Sequence, residues 1–374
     1  MDPFQQYPVL QALLKPFWRR HQKTLALVIA GIAAAGQARS FAIATCMQSW
    51  LGGRLDSAVN RFYRLLRNRR VDYTEFCSAW AQLLAKPRQG RLVVAIDWTE
   101  WHHDLRMLMA AAVVGRRALP LFAQAWAKSV RRRSQNAQEN TFLRVLADGL
   151  RRAAVHAVIL CDRGFRRVSW IALLQKLQLG FVVRLMDDVS VYVDGDVKPL
   201  STVVLPRGRV VDLGVVPLRS DGAVEVRVIG YWAPNAKEPW WLATSETGRA
   251  SQAVTLYDRR MTVEEQFPDT KGRRFGVKLF WTQFRDPDAL ARFTMLLGVA
   301  LLIWMVTGTR AAHEDPTLRL VSRQKGPRQS YVTIGVRIIA ANPAALVLTV
   351  GILRRWLEPP LERRVATRGI GRAK

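Results

Sequence analysis

Three acidic residues stand where they could hold divalent metal ions. Asp97 and Asp162 each follow an apolar run typical of a buried strand, and Glu264 lies further along the chain. Carboxylate oxygens are the hard ligands that Mg²⁺ and Mn²⁺ prefer, and two such ions about 3.5–4 Å apart can activate water and stabilise the leaving oxygen of a phosphodiester. The three carboxylates therefore indicate a two-metal site for phosphoryl transfer.

The glutamate belongs to a fourfold pattern, Tyr-x2-Arg-x3-Glu-x6-Lys, formed by Tyr257, Arg260, Glu264 and Lys271. Separations of three, four and seven residues return a 3.6-residue helix to roughly one face. One acid and two cations would then face an anionic substrate. Pro268 interrupts the pattern, and because an interior proline removes a backbone hydrogen bond, we expect the helix to end or kink before Lys271. A helix face whose cations merely neutralise its acids is the alternative.

The chain is strongly basic. Lysine and arginine outnumber aspartate and glutamate by 57 to 29, and the net charge is +28. A charge this large favours a polyanionic partner, and DNA or RNA is the natural candidate. Ribosomal-type and membrane-surface basic proteins are the alternative, but they seldom combine 374 residues with a hydrophobic content of 49%, which is enough for a large core.

Neither a disulfide framework nor a membrane anchor is expected. The cysteines, Cys46, Cys77 and Cys161, are odd in number and share no metal-ligand spacing, which favours a reducing cytosol. The apolar stretch 25–36 is flanked by charges and is interpreted as a buried helix. The nearly uncharged run 293–306 is shorter than the roughly 20 residues of a bilayer-spanning helix. We expect a cytoplasmic, nucleoid-associated protein.

Residues 1–88 lack strand alternation and are predicted to form a small helical DNA-binding domain. Over residues 54–70, arginines that include Arg61 and Arg64 surround apolar side chains. A helix here would bury one side and present arginines to DNA phosphates or to a groove. A solvated charged face is the alternative, since no helix-turn-helix pattern is clear.

The next segment, residues 89–186, alternates between strand and helix patterns. The elements are predicted at residues 92–96, 105–114, 118–126, 142–150, 156–161, 168–177 and 181–186. Asp97 and Asp162 would lie at the tips of the first and fourth strands. Three antiparallel-type strands followed by helix, strand, helix and strand is the order of a ribonuclease-H-like α/β domain.

A β-rich insertion separates the second acid from the third. Over residues 187–250 the helical period vanishes, and short strands alternate with Asp-Gly, Pro-Arg-Gly and Pro-Asn turns. The catalytic core would resume over 251–310, which carries Glu264, and a basic C-terminal region would follow over 311–374. The predicted architecture is a ribonuclease-H-like core interrupted by an all-β insertion and preceded by the helical domain.

The chain resembles the insertion-sequence transposases that carry a DDE catalytic triad and a Tyr-Arg-Glu-Lys motif, of the insertion-sequence family four type, which includes hairpin-forming cut-and-paste enzymes. The resemblance spans roughly residues 90–275 and matches the flanking regions only loosely. It rests on three segments: Ile96-Asp97-Trp98-Thr99, Cys161-Asp162-Arg163-Gly164-Phe165, and the fourfold spacing from Tyr257 to Lys271. The spacing alone arises by chance in long proteins, but its combination with two strand-end aspartates and a β insertion is specific.

The resemblance implies that Asp97, Asp162 and Glu264 hold two magnesium or manganese ions in each active site. Two alternatives stay open. Asp162 could instead cap an ordinary strand-to-helix turn. Glu265, directly after Glu264, could be the third acid.

The resemblance also implies a set of DNA contacts. Tyr257, Arg260 and Lys271 would grip phosphates of the DNA end. In hairpin-forming relatives, a tryptophan of the β insertion stacks on a base flipped out of the DNA end, and Trp240 matches that position. Trp241 would point to the opposite face of the strand, into the core. Packing of both tryptophans against the catalytic domain is the alternative.

The activity implied is that of a DNA transposase. One strand would be nicked at each end of the element, the exposed 3′-hydroxyl would form a hairpin on the opposite strand, and the reopened ends would join target DNA. The partners would be double-stranded DNA, as terminal inverted repeats and target, and a second copy of the chain, because two ends must be cut together. A nuclease without strand transfer and a catalytically inactive, domesticated DNA-binding protein are the alternatives.

Overall fold

The computed structural model describes most of the segments in which functional residues are predicted. The described residues are 22–70, 73–101, 104–115, 117–129, 135–193, 195–219, 223–260, 284–319 and 329–357. The predictions for Glu264, Glu265, Lys271 and the end of the basic C-terminal region lie outside these residues.

Ten strands among the described residues form one mixed sheet. They are β1 (Arg91–Trp101), β2 (Leu105–Val114), β3 (Arg117–Ala127), β4 (His156–Cys161), β5 (Gly180–Leu185), β6 (Ser190–Val193), β7 (Asp196–Pro199), β8 (Val210–Arg219), β9 (Ala223–Tyr231) and β10 (Trp240–Thr244). Across the sheet they follow the order β3-β2-β1-β4-β5-β10-β9-β8-β6-β7.

Ten α-helices are described around this sheet. They are α1 (Gln22–Ala35), α2 (Ser40–Leu51), α3 (Leu55–Arg67), α4 (Tyr73–Ala85), α5 (Gln135–Arg152), α6 (Val168–Lys176), α7 (Ala250–Asp258), α8 (Pro287–Glu314), α9 (Tyr331–Ala341) and α10 (Ala344–Leu357).

The predicted element order from β1 to β5 is confirmed. β1, β2 and β3 pair antiparallel, whereas β4 joins β1 and β5 joins β4 in parallel register. Parallel neighbours need a crossover connection, and α5 and α6 lie in the connections that lead to β4 and β5. The fold is mixed α/β and is consistent with a ribonuclease-H-like core.

The β-rich residues after β5 extend the same sheet. β10 pairs antiparallel with β5, and β9, β8, β6 and β7 continue outward from it. The sequence pattern missed β7, because its four residues, Asp-Val-Lys-Pro, show no strand propensity beyond one valine. An edge strand tolerates charge and proline, since one side of it needs no hydrogen-bonding partner. The boundary of a separate insertion over 187–250 stays a prediction.

Helix α8 is the centre of the helical packing. Most of its 28 residues are buried, and it packs against β3, α1, α3 and α9. Among the described helices, α8 by itself is long and apolar enough to cross a membrane, and α1 with α2 would pass that test only as one span across a bend of 114°. The most apolar part of α8 is 89% buried inside the protein, as in a core helix.

The N-terminal helices share this core with the sheet. Trp304 Nε1 on α8 donates to the carbonyl oxygen of Ala33 at 2.9 Å, and Arg292 Nη1 donates to that of Leu66 at 2.5 Å. The Trp80 Nε1 of α4 donates to Pro120 O of β3 at 2.9 Å. Residues 25–33 are largely buried, which confirms the predicted core helix. The domain boundary near residue 88 stays a prediction.

Backbone contact between α8 and α9 depends on two glycines. A Cβ on Gly308 would overlap the carbonyl oxygen of Tyr331, and one on Gly335 would overlap that of Trp304. Gly351 on α10 has nothing within 4 Å of the same position. We expect Gly308→Ala and Gly335→Ala each to lower the free energy of unfolding by about 3 kcal/mol, because the backbones must separate.

The matched control is Gly351→Ala, which should raise the free energy of unfolding by up to about 1 kcal/mol, since alanine is the better helix former. Urea unfolding followed by circular dichroism measures all three. Equal effects at Gly308 and Gly351 would show that the close helix contact is absent.

Candidate active site

The two predicted aspartates lie side by side. The parallel pairing of β1 with β4 runs from Arg91 opposite His156 to Ile96 opposite Cys161, so Asp97 and Asp162 are the next residues on adjoining segments. Asp162 keeps an extended backbone, with φ −78° and ψ −179°. Because side chains alternate along a strand, both carboxylates project to the same face of the sheet. We call this the front face.

The front face is the one covered by α7. Ala95 and Leu160, two positions before the aspartates, belong to one buried cluster with Tyr257 of α7. Ile96 and Cys161 belong to the larger core on the opposite face, which we call the back face. The predicted carboxylates and the predicted Tyr-Arg segment therefore meet on one side of the sheet.

The prediction that Asp97 ends its strand is wrong. β1 continues to Trp101, and Asp97 pairs with Met109 of β2 within it. The continuous apolar run ends at Ile96 because only that part of β1 is flanked on both sides by buried strands. Beyond it, β1 pairs with β2 but no longer with β4, and polar residues alternate with apolar ones.

Asp162 also caps the turn that follows it. Its Oδ1 accepts a hydrogen bond from the backbone N–H of Gly164 at 2.9 Å. The capping alternative is thus realised, yet an ionised carboxylate offers about four lone-pair sites over two oxygens. Capping fixes the rotation of the Asp162 side chain and leaves capacity for a cation. The two roles are compatible.

Arg260 approaches the aspartates from the turn that follows α7. The prediction that one helix continues from Tyr257 through Arg260 is wrong, because α7 ends at Asp258. Its Nη1 lies 3.4 Å from Asp97 Oδ2, and its side chain is 11% exposed. Burial acts to lower the pKa of Arg260, but the Tyr257 hydroxyl and the charges of Asp97 and Asp162 outweigh it, and the pKa is raised. The guanidinium therefore remains a fixed positive charge beside two carboxylates.

Tyr257 is buried beneath the site, with 2% of its surface exposed. Burial raises the pKa of its hydroxyl, while Arg260 and Arg184 act in the opposite direction. The structure places Tyr257 against Arg260, so it orients that guanidinium in this state. A direct contact of Tyr257 with DNA stays a prediction.

Trp240 lies on the front face, at the start of β10. Its ring meets that of Tyr257 edge to face, with centroids 5.0 Å apart, and it is only partly buried. Trp241 is buried in the core on the other side of the strand, as predicted. Trp240 thus joins Tyr257 and Arg260 in one continuous set of contacts that reaches Asp97.

The sequence pattern did not single out three further charged residues near Trp240. Glu238 Oε2 lies 3.0 Å from Arg184 Nη2 on β5 and 3.3 Å from Arg163 Nη1. Arg163 directly follows Asp162. These pairs join residues far apart in the sequence, so no local spacing could have predicted them. An arginine inside the otherwise apolar β5 was the one available signal.

The segment leading into α7 is anchored to the β-rich part of the sheet. Arg227 Nη2 lies 2.6 Å from Asp212 Oδ2, and Arg227 Nη1 donates to the carbonyl oxygens of Glu246 at 2.9 Å and Gly248 at 2.6 Å. Hydrogen bonding from Arg227 lowers the pKa of Asp212. Glu246 also pairs with Arg91 at 2.6 Å. These contacts fix the position of the segment just before α7, and so help to position α7 and Arg260 relative to the sheet.

The predicted DNA-binding arginines lie on α3. Arg61 and Arg64 are exposed, whereas Phe62, Leu65 and Leu66 on the same helix are buried. Phe62 packs edge to face on Phe293 of α8 at 5.9 Å. The helix is therefore amphipathic as predicted, with its arginines accessible to a ligand.

The residues present suit a divalent cation. Asp97 and Asp162 supply hard carboxylate oxygens on adjoining segments, which is the donor type that such cations prefer. No cluster of three metal-ligating side chains occurs among the described residues, and Glu264 is not one of them. The donor set of two adjacent carboxylates fits the predicted metal.

Comparison with known proteins identifies the chain at the level of its family. Residues 88–304 match the family described as Transposase DDE domain, which is more than half of the chain and includes β1 to β10 and both aspartates. No curated protein matches. The strand order, the adjacent aspartates and this match agree, and the chain belongs to the Transposase DDE domain family.

Proposed function

We propose that this DDE transposase catalyses cut-and-paste transposition of an insertion sequence by two-metal-ion phosphoryl transfer, with Asp97, Asp162 and Glu264 as the catalytic acids. Membership of the family implies a DNA substrate and an enzymatic activity. The observation that carries the finer proposal is the pairing of β1 with β4, which sets Asp97 beside Asp162 under Arg260.

DDE transposases use divalent metal ions. We propose two Mg²⁺ or Mn²⁺ ions per site, with Asp97 and Asp162 as two of the ligands and Glu264 as the third. When bound, such ions lower the pKa of an attacking water and stabilise the negative charge on the leaving oxygen.

The proposed role of Arg260 is to bind a phosphate of the DNA end. Its raised pKa keeps it charged, and the buried Tyr257 hydroxyl holds its orientation. A guanidinium can bind two phosphate oxygens at once, which fixes the phosphate as well as attracting it. Lys271 would add a further positive charge, and Trp240 would stack on a base flipped out of the DNA end.

The proposed reaction begins with a water that attacks a phosphodiester at each element end and releases a 3′-hydroxyl. That hydroxyl attacks the opposite strand and forms a hairpin, a second water reopens it, and the freed 3′-hydroxyls join target DNA by transesterification. Because two ends are cut and joined together, the proposed assembly is a homodimer on two DNA ends. Residues 1–88 would bind the terminal repeats, chiefly through Arg61 and Arg64.

The first prediction from the proposed function concerns the three acids. Asp97→Asn, Asp162→Asn and Glu264→Gln should each reduce nicking of end DNA in Mg²⁺ by about a thousandfold, since about 4 kcal/mol of transition-state stabilisation is lost. Binding of the DNA should persist. Labelled DNA carrying the element ends, resolved on a denaturing gel, measures the products.

Glu265→Gln is the matched control for Glu264→Gln, because it removes the neighbouring charge. Retained nicking in Glu265→Gln identifies Glu264 as the third acid, whereas the reverse result assigns that role to Glu265. DNA binding without any nicking in the unmutated protein would favour the inactive DNA-binding alternative. Nicking without strand transfer into a plasmid would favour a nuclease.

The second prediction concerns Trp240. Trp240→Ala should reduce hairpin formation by about tenfold to a hundredfold, because stacking of an unpaired base is worth about 1–3 kcal/mol. First-strand nicking should change little. Trp240→Phe keeps a ring and should keep most of the hairpin product. If nicking and hairpin formation fall together in Trp240→Ala, the tryptophan only packs on Tyr257.

The third prediction concerns α3. Replacing Arg61 and Arg64 together with alanine should weaken binding to the DNA end and reduce the slope of log K against log salt by about 0.9 for each phosphate that is no longer neutralised. The matched control replaces the exposed Arg310 and Arg337 of α8 and α9 and removes the same charge. Fluorescence anisotropy over a salt series measures both. Equal slopes in the two double variants would show that α3 does not contact the DNA.

A further inference from the structure

A buried acid lies behind the candidate active site. Glu139, on α5, is 2% exposed. Its Oε1 accepts hydrogen bonds from Trp98 Nε1 at 2.8 Å and from Gln135 Nε2 at 2.9 Å, and its Oε2 accepts one from Arg167 Nη2. We call Trp98, Gln135, Glu139 and Arg167 the Glu139 cluster.

The Glu139 cluster joins the two segments that carry the aspartates. Trp98 directly follows Asp97 on β1, and Arg167 follows Asp162 by five positions, just before α6. Trp98 lies on the back face because side chains alternate along the strand. The Glu139 carboxylate therefore binds one residue shortly after each aspartate, Trp98 after Asp97 and Arg167 after Asp162, and ties both segments to α5.

Stability does not explain a carboxylate at this position. Desolvation of a buried ion pair costs several kcal/mol per ion, and replacement by well-packed apolar residues is often neutral or stabilising. Phe142, Leu143 and Leu146 fill the neighbouring core positions of α5. Unlike an apolar side chain, a carboxylate fixes the positions of its partners, because hydrogen bonds to its two oxygens require defined distances and angles.

Trp98 is held from other sides as well. The Arg106 guanidinium lies 4.9 Å from the centroid of the Trp98 ring, and its Nη2 donates to Gln138 Oε1 of α5 at 2.8 Å. Trp126 of β3 packs on Trp98 with ring centroids 5.6 Å apart. These contacts fix the indole, so the hydrogen bond to Glu139 also fixes β1 just beyond Asp97.

We propose that Glu139 is a positioning residue of the transposase, which sets the spacing of Asp97 and Asp162 from the back face without touching DNA or metal. This inference rests on the proposed function of those two acids. Spacing matters for such a site, because a misplacement of about 1 Å can reduce the rate by about a hundredfold.

The test is the affinity for Mn²⁺. Glu139→Gln keeps the shape of the side chain and removes the charge that binds Arg167. The dissociation constant of Mn²⁺, measured on the full chain from the electron paramagnetic resonance signal of free Mn²⁺, should rise about tenfold, as when groups that orient metal ligands are removed. The half-saturating Mg²⁺ concentration for nicking should rise by a similar factor, while metal-free binding to end DNA should not change.

Glu100→Gln is the matched control. Glu100 lies on the same face of β1 as Trp98, but it is exposed, and its carboxylate pairs with Lys128 at 2.8 Å. Trp98→Phe is the second variant, which keeps a ring and removes the N–H that Glu139 accepts. If Glu139→Gln and Trp98→Phe both bind Mn²⁺ as tightly as Glu100→Gln, Glu139 only supports the fold and the inference is wrong. An unmutated protein that binds Mn²⁺ but never cuts DNA contradicts the proposed function instead, and the Mn²⁺ comparison still decides the role of Glu139.

Discussion

The parallel pairing of β1 with β4 imposes the electrostatic constraint on which the site depends. It places Asp97 and Asp162 on adjoining segments at the spacing of neighbouring strands, so their like charges repel each other. The fold accepts this repulsion because Arg260, held by Tyr257, lies beside Asp97, and because the N–H of Gly164 binds Asp162. Both groups stabilise the negative charge of the two aspartates.

The two faces of the sheet contribute to the site in different ways. On the front face, the turn after α7 brings Arg260 beside Asp97, and Tyr257 of α7 packs on Trp240 of β10. Arg227 anchors the segment that leads into α7. On the back face, the core around α5 and α8 buries the strands that carry the aspartates. The packed core on the back face fixes the two strands, and the positive charge of Arg260 on the front face offsets the repulsion between Asp97 and Asp162.

The sequence could predict whatever depends on local pattern. Continuous apolar runs located β1, β4 and β5, and the residues that follow the runs of β1 and β4 are the adjacent acids Asp97 and Asp162. Local pattern could not reveal that β1 continues past Asp97, since this depends on which neighbour each half of the strand has. It also missed Glu139 and Glu238, because their partners are distant in sequence. Nor could a helical repeat tell that α7 ends before Arg260, or that Tyr257 packs against the sheet and is buried there.

Charge balance links the observed state to the proposed reaction. In the proposed site, three carboxylates and two divalent cations would together carry one positive charge, which a single phosphodiester would neutralise. Arg260 compensates the charge of Asp97 in the structure, and the proposed cations would take over that role. In the proposed reaction the guanidinium would then be available to a phosphate, while Tyr257, which packs on Trp240, would still hold it beside Asp97. One fixed cation beside Asp97 would in this way serve both the metal-free and the proposed metal-bound state.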